Sequence, residues 1–524
     1  MNMHSLWQRL VSLDLWLEKY RLPIFLVALV VLLRIPTFFE PYWYGDEAIY
    51  LVLGESLNRG RVLYAEIIDH KTPLIYVFAQ VGTQLHFRVL MLAWLVVATA
   101  AMIKISKKLF TYTASWVLTT LTFITFISLP TFEGTIPNGE LFVIGFVLIG
   151  VLLLLESAFW AGTQRKIRPL VDYPLLLLAG VSFGLAILTK VPAVLDMAAW
   201  LCIGVLTQFP RVRSVFSDFR TKIKPAVILI MIIGVGALIP IALSILYFVL
   251  IGHGQAYLDY GLLYNFRYAG TWQPSFSHAI FSAIFTLPGK TILLALGVGS
   301  TWLLSAKIPK FWTIGLIWFW CALFASLLSN RPYPHYFLQV LPPLALLFGG
   351  VAETILTTSK TSKAIVYSTL LTVLLSVLGV GVLLDVHPYP TLSYYKNWYT
   401  YISGQQSLGE YNLWFNPLMD DNYKAAKLIR EQGNGELFIW GTNPVLYALS
   451  DTIPSGRFTV SFHIHDFAAY DETMEEITQN KPPFIVRMYD ERGELPGLKQ
   501  LLHAEYRLYR SYSHYELWKR NATK

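Results

Sequence analysis

The chain has 524 residues, of which 55% are hydrophobic and only 14% are charged, whereas a soluble domain usually carries about 25% charged residues. This deficit and the mean hydropathy of +0.50 exclude an ordinary soluble domain and indicate a polytopic membrane protein. The net charge of +8 does not indicate a nucleic-acid partner, because the lysines and arginines fall in short loops between apolar runs. Cys202 and Cys321 lie in separate apolar runs, which argues against a disulfide framework and excludes a cysteine metal site.

Eleven apolar runs are predicted to cross the membrane, since a spanning helix needs roughly 17–25 predominantly apolar residues. They lie near 22–39, 86–104, 112–129, 140–158, 173–189, 192–208, 225–251, 278–304, 311–328, 336–354 and 364–386. The sequence therefore predicts a polytopic α-helical membrane protein, with residues 1–386 as its membrane domain.

The loops between these runs alternate in charge. The N-terminus and every second loop carry most of the lysines and arginines, which predicts that these segments are cytoplasmic. The first loop, residues 40–85, is then outside, and eleven crossings place the C-terminus outside as well. We expect a multi-pass protein of the cell membrane, whether plasma or inner membrane, with a cytoplasmic N-terminus.

The composition changes after Asp385, where charge density becomes ordinary. Predicted strands lie at 436–440, 457–462 and 484–488, and predicted helices at 419–432, 466–479 and 495–503. Alternating strands and helices are typical of an α/β domain. Residues 387–524 are therefore predicted to form a small, soluble, extracytoplasmic α/β domain.

Two adjacent acids, Asp46 and Glu47, follow the first apolar run. Charge beside a bilayer is costly, so this pair is a candidate for function. A partly shielded carboxylate can act as a general base on a substrate hydroxyl. We predict Asp46 as the base, because it stands nearer the first helix, and Glu47 as the group that orients the acceptor or positions Asp46. The alternative is a pair of acids at a helix start, where negative charge is favoured.

Four basic residues on the predicted outer face are candidates for binding a phosphate. Lys71 precedes Thr72-Pro73, Lys190 ends the fifth run, and Arg331 and His335 lead into the tenth. A lysine offers a point charge, and the planar fork of an arginine fits phosphate oxygens. Alternatively, these residues anchor the protein at the headgroup layer.

A second acidic group falls in the external turn before the fourth run. Glu133, Asn138 and Glu140 lie beside Pro130 and Pro137. These residues are either caps of the fourth helix or a second acidic wall of the same cavity that receives the acceptor.

Several short stretches make the chain resemble the C-type glycosyltransferases that use lipid-linked sugars, a group that includes protein O-mannosyltransferases and bacterial aminoarabinose transferases. They are Asp46-Glu47, Gly60 to Tyr64, Asp69 to Leu74, Leu188 to Lys190, and His335-Tyr336 before Pro342-Pro343. The resemblance implies the C-type fold, a polyprenyl-phosphate sugar donor, inversion at the sugar carbon, Asp46 as base and Lys71 on the donor phosphate.

The resemblance implies no cofactor, since the mannosyltransferase branch needs no metal. The related oligosaccharyltransferases do use a divalent metal, so a metal in this protein remains an alternative. The predicted function is transfer of a sugar to a hydroxyl of an envelope glycolipid, glycan or protein, with the lipid bilayer as a partner and no nucleic acid. A transporter or flippase of lipid-linked glycans is the alternative, although such a protein is expected to carry its polar residues nearer the bilayer midplane.

Overall fold

The computed structural model describes residues 20–160, 168–206, 212–270, 279–357, 360–432 and 435–521, together with Trp272 and Pro274. Helices make up the first part of the chain. In order they are α1 (Tyr20–Phe38), α2 (Gly45–Asn58), α3 (Leu74–Ala79), α4 (Gln84–Leu109), α5 (Thr113–Ser128), α6 (Gly139–Glu156), α7 (Pro169–Thr189), α8 (Val194–Leu206), α9 (Val212–Leu250), α10 (Tyr264–Gly270), α11 (Ala279–Ile284), α12 (Leu287–Leu304), α13 (Lys310–Ser326), α14 (Leu341–Thr357) and α15 (Lys360–Leu383).

Eight of the described segments are long and apolar enough to cross a membrane, by length and composition: α1, α4, α6, α7, α9 from Ile223, α12, Pro334–Thr357 including α14, and α15 from Val366. The shorter α5 and α13, and the segment Val191–Leu206, are also apolar. These eleven segments follow the order of the eleven predicted runs. The prediction of a polytopic helical membrane protein is confirmed.

Helices α7 and α9 cross at very close range through glycines. A Cβ atom on Gly180 would meet the carbonyl oxygen of Ile233, and one on Gly236 would meet that of Leu177, both well inside van der Waals contact. Small residues allow this approach, and in a membrane such packing replaces the hydrophobic driving force that is available in water. The crossing fixes the C-terminal half of α7, which ends at Thr189, directly before Lys190.

The C-terminal part is a five-stranded sheet with helices on both faces. Its elements are α16 (Thr391–Ile402), α17 (Leu408–Phe415), α18 (Met419–Glu431), β1 (Glu436–Trp440), α19 (Pro444–Ser450), β2 (Ile453–Pro454), α20 (Ser461–Phe467), α21 (Tyr470–Asn480), β3 (Phe484–Met488), α22 (Leu498–Glu505), β4 (Tyr506–Ser511) and β5 (Tyr515–Arg520). The strand order is β2-β1-β3-β5-β4. Strands β2, β1 and β3 are parallel, while β5 runs antiparallel to β3 and β4.

Successive residues of β1 pack into two different cores, as the period of a strand requires. Leu437 and Ile439 join one apolar cluster, and Phe438 and Trp440 join the other. Helices therefore cover both faces of the sheet, which is typical of parallel strands. The prediction of a small C-terminal domain that combines a sheet with helices is confirmed.

Two details of the predicted C-terminal domain are wrong. The segment 457–462 is not a strand: Phe458 makes one isolated bridge to Ile68, and helix α20 begins at Ser461. The hairpin of β4 and β5 was not predicted. Pairing between distant segments determines where strands form. Strand β5, for example, forms through five residue pairs with β3 rather than through a strong local pattern.

Candidate active site

The two adjacent acids in the first turn of α2 have different surroundings. Asp46 keeps 30% of its side chain exposed, and its Oδ2 lies 3.6 Å from the Nζ of Lys71. The hydroxyl of Tyr50, one turn further along α2, donates to the same oxygen at 3.2 Å. Asp46 therefore has a cation beside it and room for a further partner, as a general base requires.

Glu47 is buried and fully occupied by neighbours. Nε and Nη2 of Arg88 donate to its two oxygens, each at 2.7 Å, and Gln84 Nε2 donates to Oε2 at 3.2 Å. Nη2 of Arg88 also lies 3.3 Å from Glu40. This bidentate pair fastens α2 to α4. The geometry favours a structural role for Glu47, and its predicted place beside a substrate stays a prediction.

Lys71 lies between two carboxylates. Its Nζ is 3.6 Å from Asp46 and 3.5 Å from Asp69 Oδ2, and it sits 5.0 Å from the ring of Tyr50. Burial alone would lower the pKa of Lys71, but Asp46 and then Asp69 outweigh it and hold that pKa well above its ordinary value. Burial would likewise raise the pKa of Asp46, yet Lys71 keeps it below its ordinary value. Lys71 is therefore an ammonium and Asp46 a carboxylate at neutral pH.

Asp69 is a buried centre of contacts beside Lys71. Its Oδ2 accepts from Tyr76 at 2.7 Å, and its Oδ1 accepts the backbone N–H of His70 at 2.8 Å. Oδ1 also lies 2.9 Å from His70 Nδ1 and 3.4 Å from Nε2 of His463, which belongs to α20 of the C-terminal domain. Burial opposes the charge, but Lys71 and then His70 keep the pKa of Asp69 well below its ordinary value.

Glu133 and His335 contact each other next to Tyr44, two residues before Asp46. Nδ1 of His335 lies 2.5 Å from Glu133 Oε2, and the hydroxyl of Tyr44 donates to that oxygen at 2.6 Å. Glu133 has a left-handed φ of 57°, a conformation that costs an ordinary residue about 1–2 kcal/mol and tends to occur at functional sites. The third residue of the predicted acidic group, Asn138, is buried; its Nδ2 donates to the carbonyl of Glu133 at 3.4 Å. Its place is within the turn.

Glu140 and Lys190 form a separate pair. The ammonium of Lys190 donates to Glu140 Oε1, and it also lies 4.2 Å from the ring of Tyr336. Glu140 stands in the first turn of α6, so it is both an acid at a helix start and the partner of a predicted phosphate ligand. The two predicted acids thus have different partners: Glu133 contacts His335, and Glu140 forms an ion pair with Lys190.

Arg331 lies against aromatic rings. Its guanidinium carbon is 4.4 Å from the ring centre of Tyr268 and 5.7 Å from that of Trp272. The preceding residue, Asn330, has a left-handed φ of 55°. Nζ of Lys290 donates to Asn330 Oδ1 at 3.0 Å and to the carbonyls of residues 327 and 328. Lys290 therefore orders the turn that carries Arg331.

A cavity of about 550 Å³ adjoins these groups. Lys71, Lys190 and Lys290 line it, together with apolar residues such as Phe285, Leu287 and Phe324. Lys71 and Lys190 therefore offer ammonium groups to an anion, whereas Lys290 already donates to three protein oxygens. The apolar wall suits a hydrocarbon chain. Asp46, Glu133 and His335 are not among its lining residues.

Four of the predicted residues are brought together, and three residues near the site were not named by the sequence analysis: Lys290, Tyr268 and His463. Asp46, Lys71, Lys190 and His335 are close enough that Lys71, His335 and Lys190 each lower the pKa of Asp46. Lys290 was missed, although a lysine inside an apolar run is itself a signal of function. Tyr268 and His463 gave no such signal, because their positions follow only from the tertiary fold.

One group of side chains has the spacing of metal ligands in the part of the chain that the structure describes: Asp69, His70 and His463. The three facing atoms lie 2.9–3.4 Å from one another. Histidine nitrogens and a carboxylate oxygen suit a divalent ion such as Zn²⁺. The ammonium of Lys71, 3.5 Å from Asp69 Oδ2, is an opposing positive charge. The nearby ammonium weakens the attraction of this three-residue group for a cation.

The protein consists of a helical membrane part followed by a sheet domain, and it has a nearly full-length structural match. These features define a protein with the C-type glycosyltransferase fold. The chain is similar in structure to ArnT from Cupriavidus metallidurans bound to undecaprenyl phosphate, with a TM-score of 0.57 and 13% identity, over 95% of this chain and 98% of that one. The resemblance predicted from the sequence is thereby confirmed at the level of the fold.

Two further structural matches are the oligosaccharyltransferase of Archaeoglobus fulgidus in the apo form and in complex with Zn and sulfate. Each has a TM-score of 0.43; the identities are 12% and 13%, and the matches cover 90% and 95% of this chain and 70% and 73% of the other. No protein-family model matches the sequence. No curated protein matches it either.

Proposed function

We propose that the protein is an inverting glycosyltransferase that moves a sugar from a polyprenyl-phosphate donor to a hydroxyl group at the outer face of the membrane. The Asp46–Lys71 pair carries this proposal. It places a base and a cation 3.6 Å apart, next to a cavity lined by lysines and by apolar side chains. The fold shared with ArnT, whose structure contains undecaprenyl phosphate, supports a donor of the same chemical class.

The donor fits the cavity by its chemistry. Its phosphate would face Lys71 and Lys190, and its prenyl chain would follow the apolar wall near Phe285 and Phe324. Lys190 is already paired with Glu140, so an incoming phosphate would compete for its ammonium. Arg331 contacts Tyr268 of the cavity wall and would supply a planar fork for phosphate oxygens.

In the proposed reaction the acceptor hydroxyl attacks the anomeric carbon of the sugar. Asp46 takes the hydroxyl proton as the new O–C bond forms, and the C–O bond to the phosphate breaks on the opposite face. The polyprenyl phosphate leaves with the electron pair. Lys71 neutralises the charge that grows on its bridging oxygen, and this stabilisation is strong because the lysine is buried.

Glu133 and His335 fit the acceptor side. They lie beyond the cavity lining and next to Tyr44, which directly precedes α2. A carboxylate and an imidazole there can hold further hydroxyls of a glycolipid, glycan or protein acceptor. This division separates a donor side with Lys71, Lys190 and Glu140 from an acceptor side with Glu133 and His335.

The proposal includes an orientation in the cell membrane: residues 1–386 form the membrane domain with a cytoplasmic N-terminus, and residues 387–524 lie outside. Single cysteines at the exposed positions Asn58 and Gln500, in a background without Cys202 and Cys321, should react with an impermeant thiol reagent on intact cells. A cysteine at the exposed Thr111, in the basic loop between α4 and α5, should not. The reverse labelling pattern would contradict the orientation and the site assigned to the outer face.

The activity can be tested with the full chain in lipid nanodiscs. Polyprenyl-phosphate sugars are supplied with envelope lipids extracted from cells that lack the protein, and sugar-modified products are identified by mass spectrometry. Transfer by the wild type and its loss in Asp46→Asn would support the enzyme. Movement of the donor across proteoliposome membranes, without transfer and without sensitivity to Asp46→Asn, would instead identify a flippase.

A further inference from the structure

The loop that carries Lys71 rests on the C-terminal domain at several points. The backbone N–H of Ile68 donates to the carbonyl of Arg457 at 2.9 Å. The guanidinium of Arg457 donates back to the carbonyl of Tyr64 at 2.8 Å. The hydroxyl of Tyr64 then donates to the carbonyl of Lys71 at 2.7 Å. The position of Lys71 therefore depends on contacts that begin in another part of the chain.

His463 makes the most direct of these contacts. It is 1% exposed, and its Nε2 lies 3.4 Å from Asp69 Oδ1 and 3.3 Å from His70 Nδ1. The other oxygen of Asp69 faces the ammonium of Lys71 at 3.5 Å. Asp69 thus has His463 on one side and Lys71 on the other, and a shift of its carboxylate would move the ammonium.

We propose that His463 is a positioning residue for the donor site: through Asp69 it sets the place of Lys71, so that the C-terminal domain takes part in binding the donor phosphate. The inference rests on the function proposed above. It gives that domain a role that its sequence did not reveal. It also gives a reason for the burial of a polar side chain whose Nδ1 has no hydrogen-bond partner among the described residues, an arrangement that costs stability.

The test measures binding of undecaprenyl phosphate to the purified full chain in nanodiscs, without any transfer step. His463→Leu should weaken binding about tenfold, the change expected when one buried hydrogen-bond partner is removed. His463→Gln, whose amide can replace Nε2, should retain most of the affinity. The matched control is His465→Gln on the same helix, because His465 faces Glu491 of its own domain at 3.0 Å. The unfolding temperature of each variant is measured in parallel, and affinities are compared for the folded protein only.

The outcomes separate this inference from the function beneath it. Wild-type affinity in His463→Leu, together with weak binding in Lys71→Ala, would overturn the positioning role and leave the phosphate site standing. Wild-type affinity in both variants would remove the phosphate site itself. Equal losses in His463→Leu and His465→Gln would show a general effect of the domain and would also overturn the positioning role.

Discussion

Two charged clusters begin at neighbouring residues of α2 and are built in opposite ways. Around Glu47, two hydrogen bonds of 2.7 Å to Arg88 leave both side chains about 1% exposed. Around Asp46, the contacts with Lys71 are single and longer, at 3.6 Å, and the carboxylate is 30% exposed. The first cluster is closed to any substrate, whereas the second has unused lone pairs and access. Adjacent acids can therefore serve stability and chemistry separately.

The largest expected effect concerns the closed cluster. Arg88→Leu would leave Glu40 and Glu47 buried without their cation, and breaking a buried pair typically costs about 3–5 kcal/mol. We expect a strong fall in the unfolding temperature of the detergent-solubilised protein and little folded enzyme. A triple variant, Glu40→Gln, Glu47→Gln and Arg88→Leu, should recover part of the loss. Normal stability in Arg88→Leu would show that the cluster is not structural.

Asp46→Asn tests the open cluster. The amide keeps the shape of the side chain but cannot take a proton, so transfer should fall about a hundredfold or more while the unfolding temperature stays near that of the wild type. Turnover is measured with saturating donor. Glu47→Gln is the paired variant, and its folded fraction should lose much less activity. If Glu47→Gln is the more damaging change at equal stability, the roles of the two acids are reversed.

Lys71→Gln should change both donor affinity and pH dependence. Without the ammonium, burial acts on Asp46 with less opposition, so the pKa of Asp46 rises. A base works only when deprotonated, and the acid limb of the plot of kcat/KM against pH should therefore move to higher pH. Lys190→Gln should cause a smaller shift, since Lys190 contributes less to the pKa of Asp46 than Lys71 does. An unmoved acid limb in Lys71→Gln would refute the coupling.

The smallest effect is expected on the acceptor side. Glu133→Gln removes one charged hydrogen-bond acceptor from His335 and Tyr44, and should raise the KM for the acceptor roughly fivefold, the equivalent of about 1 kcal/mol. Donor affinity should not change. Glu140→Gln is the matched change on the donor side, where it frees Lys190 and should alter donor affinity instead. Identical behaviour of the two variants would argue against separate sides.

The sequence was sufficient for the membrane part of the fold, because long apolar runs and alternating basic loops are local signals. It also predicted Asp46, Lys71, Lys190 and His335 on one face of the membrane, and the structure brings these four side chains close to one another. It distinguished Asp46 from Glu47 only by their order in the chain, since the physical difference is made by Arg88, which lies 41 residues from Glu47. Nor could it find His463, whose contact with Asp69 depends on how two parts of the chain dock.

A change in the tilt of α7 at its glycine crossing with α9 would move Lys190 at the end of that helix, as a pivot moves the end of a lever. About ten residues separate Gly180 from Lys190, and a helix rises about 1.5 Å per residue, so the arm is about 15 Å long. A tilt of about 4° at the pivot would displace the start of the Lys190 side chain by about 1 Å, a misplacement that can cost an enzyme about a hundredfold in rate. Because backbone meets backbone there, no side chain can yield to an added methyl group. A buried helix crossing far from any reacting atom is thus a point where one added methyl group would lower the activity.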